Sequence, residues 1–102
     1  QLLERQAEVD LSFAQRQLQA NIDAAQLEAQ AAHAQIDSLR QSADLSAESL
    51  RLTVLRYEAG EATALEVVDA QSTLALARNA SDDGLARYRV AVANLLTLMG
   101  RF

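Results

Sequence analysis

The sequence predicts an all-α chain, a long antiparallel coiled-coil helical hairpin. Three observations carry that expectation. Ala, Leu and Gln, all strong helix formers, number 21, 17 and 10 of the 102 residues. Punctuation is sparse, with three Gly and no Pro. Apolar residues recur in alternating steps of three and four, the period of a helix face. A sandwich or barrel of strands is excluded by the same composition. Four aromatics and one Met mean that the apolar surface comes from Ala and Leu. That suits narrow seams between helices better than a thick core around a deep pocket.

The first helix is predicted over 1–58. Its seam runs Leu18, Ile22, Ala25, Ala29, Ala32, Ile36, Leu39, Ala43, a heptad rhythm. After one extra four-residue step, read as a stutter, it continues through Ala47, Leu50, Val54 and Tyr57. A second series, Ala20, Ala24, Leu27, Ala31, Ala34, keeps the same rhythm about 200° round the helix. Two apolar faces suit a helix packed between two neighbours, with Ala allowing close approach.

A turn is predicted at 59–63, the only strongly punctuated stretch. Gly60 can take the left-handed conformation that closes a helix, and Arg56 one turn earlier complements the negative end of the helix dipole. Thr63 and Glu66 form a T-x-x-E capping box, each side chain satisfying an orphan backbone N–H of the next helix. Stop and start this close together make the helices antiparallel neighbours.

The second helix is predicted over 64–99, ending at Gly100. Its seam reads Val67, Ala70, Leu74, Ala77, Ser81, Gly84, Tyr88, Val92, Leu95, Met99, with a stutter after Gly84. At Ser81-Asp82-Asp83-Gly84, Ser81 could cap a fresh helix, and Gly84 costs ~1 kcal/mol against Ala inside one. The seam keeps phase through both residues, which favours a continuous helix. The arms, ~85 Å and ~54 Å at 1.5 Å per residue, do not match. Some 20 residues at the N-terminus, with Leu2, Leu3, Val9, Leu11 and Phe13, are therefore expected to lack a partner within the chain.

Most chemistry is excluded. There is no Cys, the single His33 cannot make a metal site alone, and no phosphate loop, nucleophile elbow or zinc-protease motif occurs. No enzyme, cofactor or metal is expected. A net charge of −5 with nine Arg and no Lys leaves no nucleic-acid footprint. The longest nearly apolar run, 90–99, is about half of what a bilayer span needs, and residues 1–10 do not read as a signal peptide. No direct membrane insertion is expected. Acid pairs Glu8/Asp10 and Asp82/Asp83 read as solvated faces, and the Asn79-Ala80-Ser81 triplet lies in a helix and carries little weight as a glycosylation site.

The tip carries a more specific pattern. Tyr57-x-x-Gly60-x-x-Thr63-x-Leu65-Glu66-Val67-Val68-Asp69-Ala70-Gln71, followed by Leu74 and later by Tyr88, Leu95, Leu96 and Gly100, resembles the second helical repeat of TolC-type outer membrane efflux proteins. The likeness is specific over about 45 residues; upstream it rests on length and Ala-Leu-Gln texture. Members of that family are trimers whose β-barrel crosses the outer membrane and whose helices build a long periplasmic α-barrel. The resemblance implies that this chain is a fragment of such an α-barrel, a periplasmic hairpin taking part in solute export, with the parent a homotrimer. It implies that Gly60, Glu61, Ala62, Thr63 and Leu65 form the tip that meets a periplasmic adaptor (membrane fusion) protein, itself joined to an inner-membrane pump. It also implies that Tyr57, Glu66 and Asp69 belong to the periplasmic entrance, with the acids facing the bore. Where some members carry an Arg in the polar network of that gate, this chain has Ala62, which argues against a salt-bridged lock of that kind.

Read from the residues alone, Tyr57 is a last seam knob, Thr63 and Glu66 are caps, and Asp69 favours the positive end of a helix. On that reading the chain is a generic antiparallel coiled-coil interaction module.

Overall fold

The computed structural model describes residues 1–100, which form two helices and no strand. Helix α1 spans Leu2–Glu58 and helix α2 spans Ala64–Leu98. They pack side by side as an antiparallel hairpin, a rod of 87 × 21 × 16 Å. The long dimension matches the ~85 Å expected of α1 alone. Helix α2 runs unbroken through Ser81 and Gly84, so Ser81 caps nothing.

The buried residues are small. They are Ala29 and Ala32 on α1 and Gly84 and Ala91 on α2, with Leu74 nearer the tip as the one large exception. Around them Ile22, Ala25, Ile36, Leu39, Ala43 and Leu50 are half-buried, as are Val67, Ala70, Ala77, Ser81, Tyr88 and Leu95 across the seam. With Ala and Gly at the contact, two backbones approach closely over a long line, and the hairpin gains its burial by length rather than thickness.

Two details of the seam differ from the sequence expectation. In α2 there is no stutter after Gly84: Ala91 is 4% exposed while Met99 is 42% exposed, and Leu98 is half-buried. The sevenfold repeat therefore continues through Tyr88, Ala91, Leu95 and Leu98, with Val92 half-buried at its edge. In α1 the step from Ala43 to Ala47 broadens the contact without shifting it, because Ser46 and Thr53 are half-buried alongside Ala47 and Val54. Small hydroxyl and methyl side chains fit a narrow seam, so a pattern traced only through the larger apolar residues departs from the contact line.

Two apolar surfaces remain uncovered. Residues 1–21 have no α2 beside them and are exposed throughout, including Leu2, Leu3, Val9, Leu11, Phe13 and Leu18. Each helix also carries a stripe on the side turned away from its partner. On α1 this is Ala20, Ala24, Leu27, Ala31 and Ala34, all exposed. On α2, helical spacing aligns Leu65, Val68, Ala75, Ala86, Val90 and Ala93, likewise exposed.

Candidate functional site

The tip is built by two interlocking caps. Helix α1 closes with Gly60 at φ 78°. The Gly60 N–H donates to the Tyr57 carbonyl at 3.0 Å, and the Glu61 N–H reaches back five residues to the Arg56 carbonyl at 2.7 Å. This is the Schellman arrangement, which satisfies carbonyls that the end of the helix would leave open. The Arg56 guanidinium adds a bond from Nη2 to the Glu61 carbonyl at 3.3 Å. Nothing lies within 4 Å of the position a Cβ at Gly60 would take. The residue is Gly because of its φ, and the space in front of it is open.

Helix α2 opens with the capping box that its sequence specifies. The Thr63 N–H donates to Glu66 Oε2 at 3.0 Å, and the Glu66 N–H donates to Thr63 Oγ1 at 3.2 Å. Between the caps, Glu61 is exposed and Ala62 half-buried. The flanks of the tip are apolar and open: Tyr57 is 49% and Leu65 is 67% exposed, with Leu55 and Val68 exposed beside them.

The eight residues singled out at the tip thus share one end of the rod, but they do not act alike. Glu66 is engaged by the cap of its own helix. Asp69 follows one turn later with an exposed side chain, its backbone carbonyl accepting from Thr73 Oγ1 at 3.0 Å. No hydrogen bond among the described residues joins Tyr57 to Glu66 or Asp69. Helical spacing sets Glu66, Asp69 and Thr73 along one side of α2. That side borders a groove lined by Ser42, Leu45, Ser46, Ser49, Ala70 and Thr73.

The opposite face of the hairpin differs. There Arg40, Ala43, Asp44, Arg78, Ser81 and Asp82 line a groove rich in charge of both signs. Further from the tip on this face, His33 meets Tyr88 edge-on, ring centroids 5.2 Å apart, beside Gln26, Gln30 and Val92. This cross-helix pair was not legible in the sequence, because only the antiparallel register brings positions 33 and 88 together. His33 is thereby a seam-edge residue with an aromatic neighbour.

No group of three or more potential metal ligands occurs among the described residues, and no helix among them is long and apolar enough to cross a membrane. One ion pair stands out on the surface. Arg51 donates through Nε to Glu48 at 3.0 Å and through Nη2 to the other carboxylate oxygen. The Arg51 hydrogen bonds hold the Glu48 carboxyl below its ordinary range, with the guanidinium charge adding to the effect.

A rod of two helices with uncovered apolar edges and a doubly capped, exposed end has the build of a structural element and not of a pocketed globular domain. The outer membrane efflux protein family model matches residues 4–101, nearly the whole sequence, and the chain belongs to that family. It is part of an efflux channel and not an enzyme. No curated protein and no solved structure matches the chain.

Proposed function

We propose that the hairpin is one stave of the periplasmic α-barrel of a trimeric efflux duct, and that its tip docks a periplasmic adaptor protein for solute export. The observation that carries this reading is the pair of apolar stripes on opposite edges of the rod, Ala20 to Ala34 on α1 and Leu65 to Ala93 on α2. An element with complementary seams on both edges continues side by side with further helices. If the rotation closes, the product is a tube. In such a wall the flanks are buried, and the turn at 59–63 is the surface left for an end-on partner. Gly60, Glu61, Ala62, Thr63 and Leu65 would meet that partner, and the open space before Gly60 lets another backbone come close.

Tyr57, Glu66 and Asp69 are assigned to the periplasmic entrance. What supports a bore-facing role for the acids is the side they share with Thr73 and the serine-lined groove, the less charged of the two faces. Repeated around a three-fold axis, Glu66 and Asp69 would concentrate negative potential in a narrow opening and favour cations.

The test uses the full-length parent. Gly60→Val strains the left-handed turn and fills the space before it, whereas Ala31→Ser, far along α1, does neither. The first change should abolish adaptor crosslinking and efflux while trimers still form; the second should leave both intact. Survival of crosslinking and efflux when Gly60, Thr63 and Leu65 are all replaced would refute docking through the tip.

A further inference from the structure

Two regions determine how far α2 lies along α1. The tip is one. The other lies mid-rod, where residues 35–44 of α1 face residues 78–87 of α2. We propose that this mid-rod cluster is a second register lock, independent of the tip, which keeps the helices from sliding by a heptad when the turn is deformed.

The need for a lock follows from the seam. Both helices repeat small and apolar residues every seven positions, so a slip of one heptad brings similar residues together again. Leu39 breaks that degeneracy. In its column of α1, residues 25, 32, 39, 46 and 53 are Ala, Ala, Leu, Ser and Thr, so Leu39 is the one bulky apolar side chain. In the facing column of α2, residues 70, 77, 84, 91 and 98 are Ala, Ala, Gly, Ala and Leu, so Gly84 is the one position without a Cβ. The Leu39 Cδ1 methyl sits in the space that a Cβ at 84 would occupy. A slip of seven in either direction puts Ala77 or Ala91 under Leu39, and their methyl groups close the hollow.

Charge distinguishes the same register. Arg40, Asp44, Arg78 and Asp82 line one groove over Ala43 and Ser81. Because the helices are antiparallel, Arg40 lies level with Asp82 and Asp44 level with Arg78. Sliding one way sets Arg40 against Arg89 and Arg51 against Arg78, two like-charge pairs. Sliding the other way leaves Arg40 beside Ala75 and Asp44 beside Gln71, but brings Asp37 to Arg78 and Glu28 to Arg87, so charge is nearly neutral between that register and the native one. Exposed pairs are individually weak; charge penalises the first slipped register, and the Leu39–Gly84 fit discriminates against both. The one side-chain hydrogen bond between the helices among the described residues, Arg87 Nη1 to Gln35 Oε1 at 3.2 Å, belongs to this cluster.

The chain has no Cys, so introduced pairs report register without interference. Ser49→Cys with Thr73→Cys, which line one groove, reads the native register; Ser49→Cys with Ala80→Cys and Ser42→Cys with Thr73→Cys read a slip of one heptad either way. A flexible Gly/Ser insert one heptad long between Glu61 and Ala62 frees the tip. With the cluster intact, the native pair should still form its disulfide about tenfold faster than either slipped pair, a preference of roughly 1.4 kcal/mol. Adding Gly84→Ala together with D44R and D82R should reduce that preference to about twofold or less. Exchanging all four charges (R40D, D44R, R78D, D82R), with Gly84 kept, retains the native pairings but turns both like-charge pairs of one slipped register into opposite-charge pairs, so the preference over the Ser49→Cys with Ala80→Cys pair should fall while that over the Ser42→Cys with Thr73→Cys pair should hold. Loss of register on inserting the loop alone would mean that the tip sets it. Persistence of the full preference in the Gly84→Ala, D44R, D82R variant would mean that the remaining seam suffices. Either result overturns the lock.

Discussion

Residues 2–21 and 22–53 of α1 form one continuous helix of similar texture, yet they have different fates. In the second stretch the side chains at seam positions are covered, down to 3% exposure at Ala32; in the first, Leu11 is 60% and Phe13 65% exposed. The local signals for helix are equally strong in both. What separates them is whether α2 is present alongside, and α2 ends at Leu98. Helix formation and burial are separate events here: propensity draws a long rod, and only a second helix turns one of its stripes into a core.

The sharpest test applies one substitution to each region. Leu74→Ala removes the largest buried side chain of the seam and should destabilise the hairpin by about 2–3 kcal/mol. Leu11→Ala removes the same atoms from the bare arm and should change stability by less than about 0.5 kcal/mol. Chemical denaturation followed by circular dichroism measures both. Equal losses would mean that the arm is packed in solution, by self-association through its exposed Leu and Phe residues.

A smaller effect is expected at the closest approach of the helices. Gly84→Ala gains up to ~1 kcal/mol of helix propensity but drives a methyl into Leu39, which costs about 1–3 kcal/mol in a packed contact. The net should be destabilising by about 1 kcal/mol, and adding Leu39→Ala should make Gly84→Ala neutral or favourable. A stabilising single variant would show that the seam opens there without penalty.

At the tip, Thr63→Ala removes one half of the capping box and should cost about 1 kcal/mol. Hydrogen exchange should localise the loss to the first turn of α2. The last effect is the smallest. Glu48 is exposed, and its carboxyl is held low by the hydrogen bonds from Arg51. A carboxylate depressed in the folded state favours folding above its ordinary pKa, and this contribution fades as pH falls through the depressed value. Carboxyl NMR should find Glu48 titrating below the ordinary range; R51Q should bring it back, and salt should narrow the difference.

Much of the fold was legible because its determinants are local. Gly60 announces a left-handed closure and Thr63 with Glu66 announces an opening, and both operate through bonds within five residues in sequence. The tip was readable as a place for the same reason. Its roles were not: capping already occupies Thr63 and Glu66, and among the described residues no hydrogen bond or ion pair of the Asp69 side chain defines what it does. The seam was readable in rhythm but not in detail. Val92 and Met99 fit the rhythm as well as Ala91 and Leu98 do, since an apolar pair at adjacent positions offers two contact lines, and the shape of the facing helix decides between them.

By itself, the sequence determined two helices, their unequal lengths, the turn between them, and the bare arm that the mismatch leaves. These follow from propensity, capping and arithmetic along one chain. The tertiary structure decided which of two apolar stripes on α1 becomes the seam, leaving Ala20 to Ala34 outside, and that Leu39 enters the hollow at Gly84 with His33 against Tyr88. Those outcomes depend on the fit between residues some fifty positions apart, and steric complementarity exists only once both surfaces have been brought together.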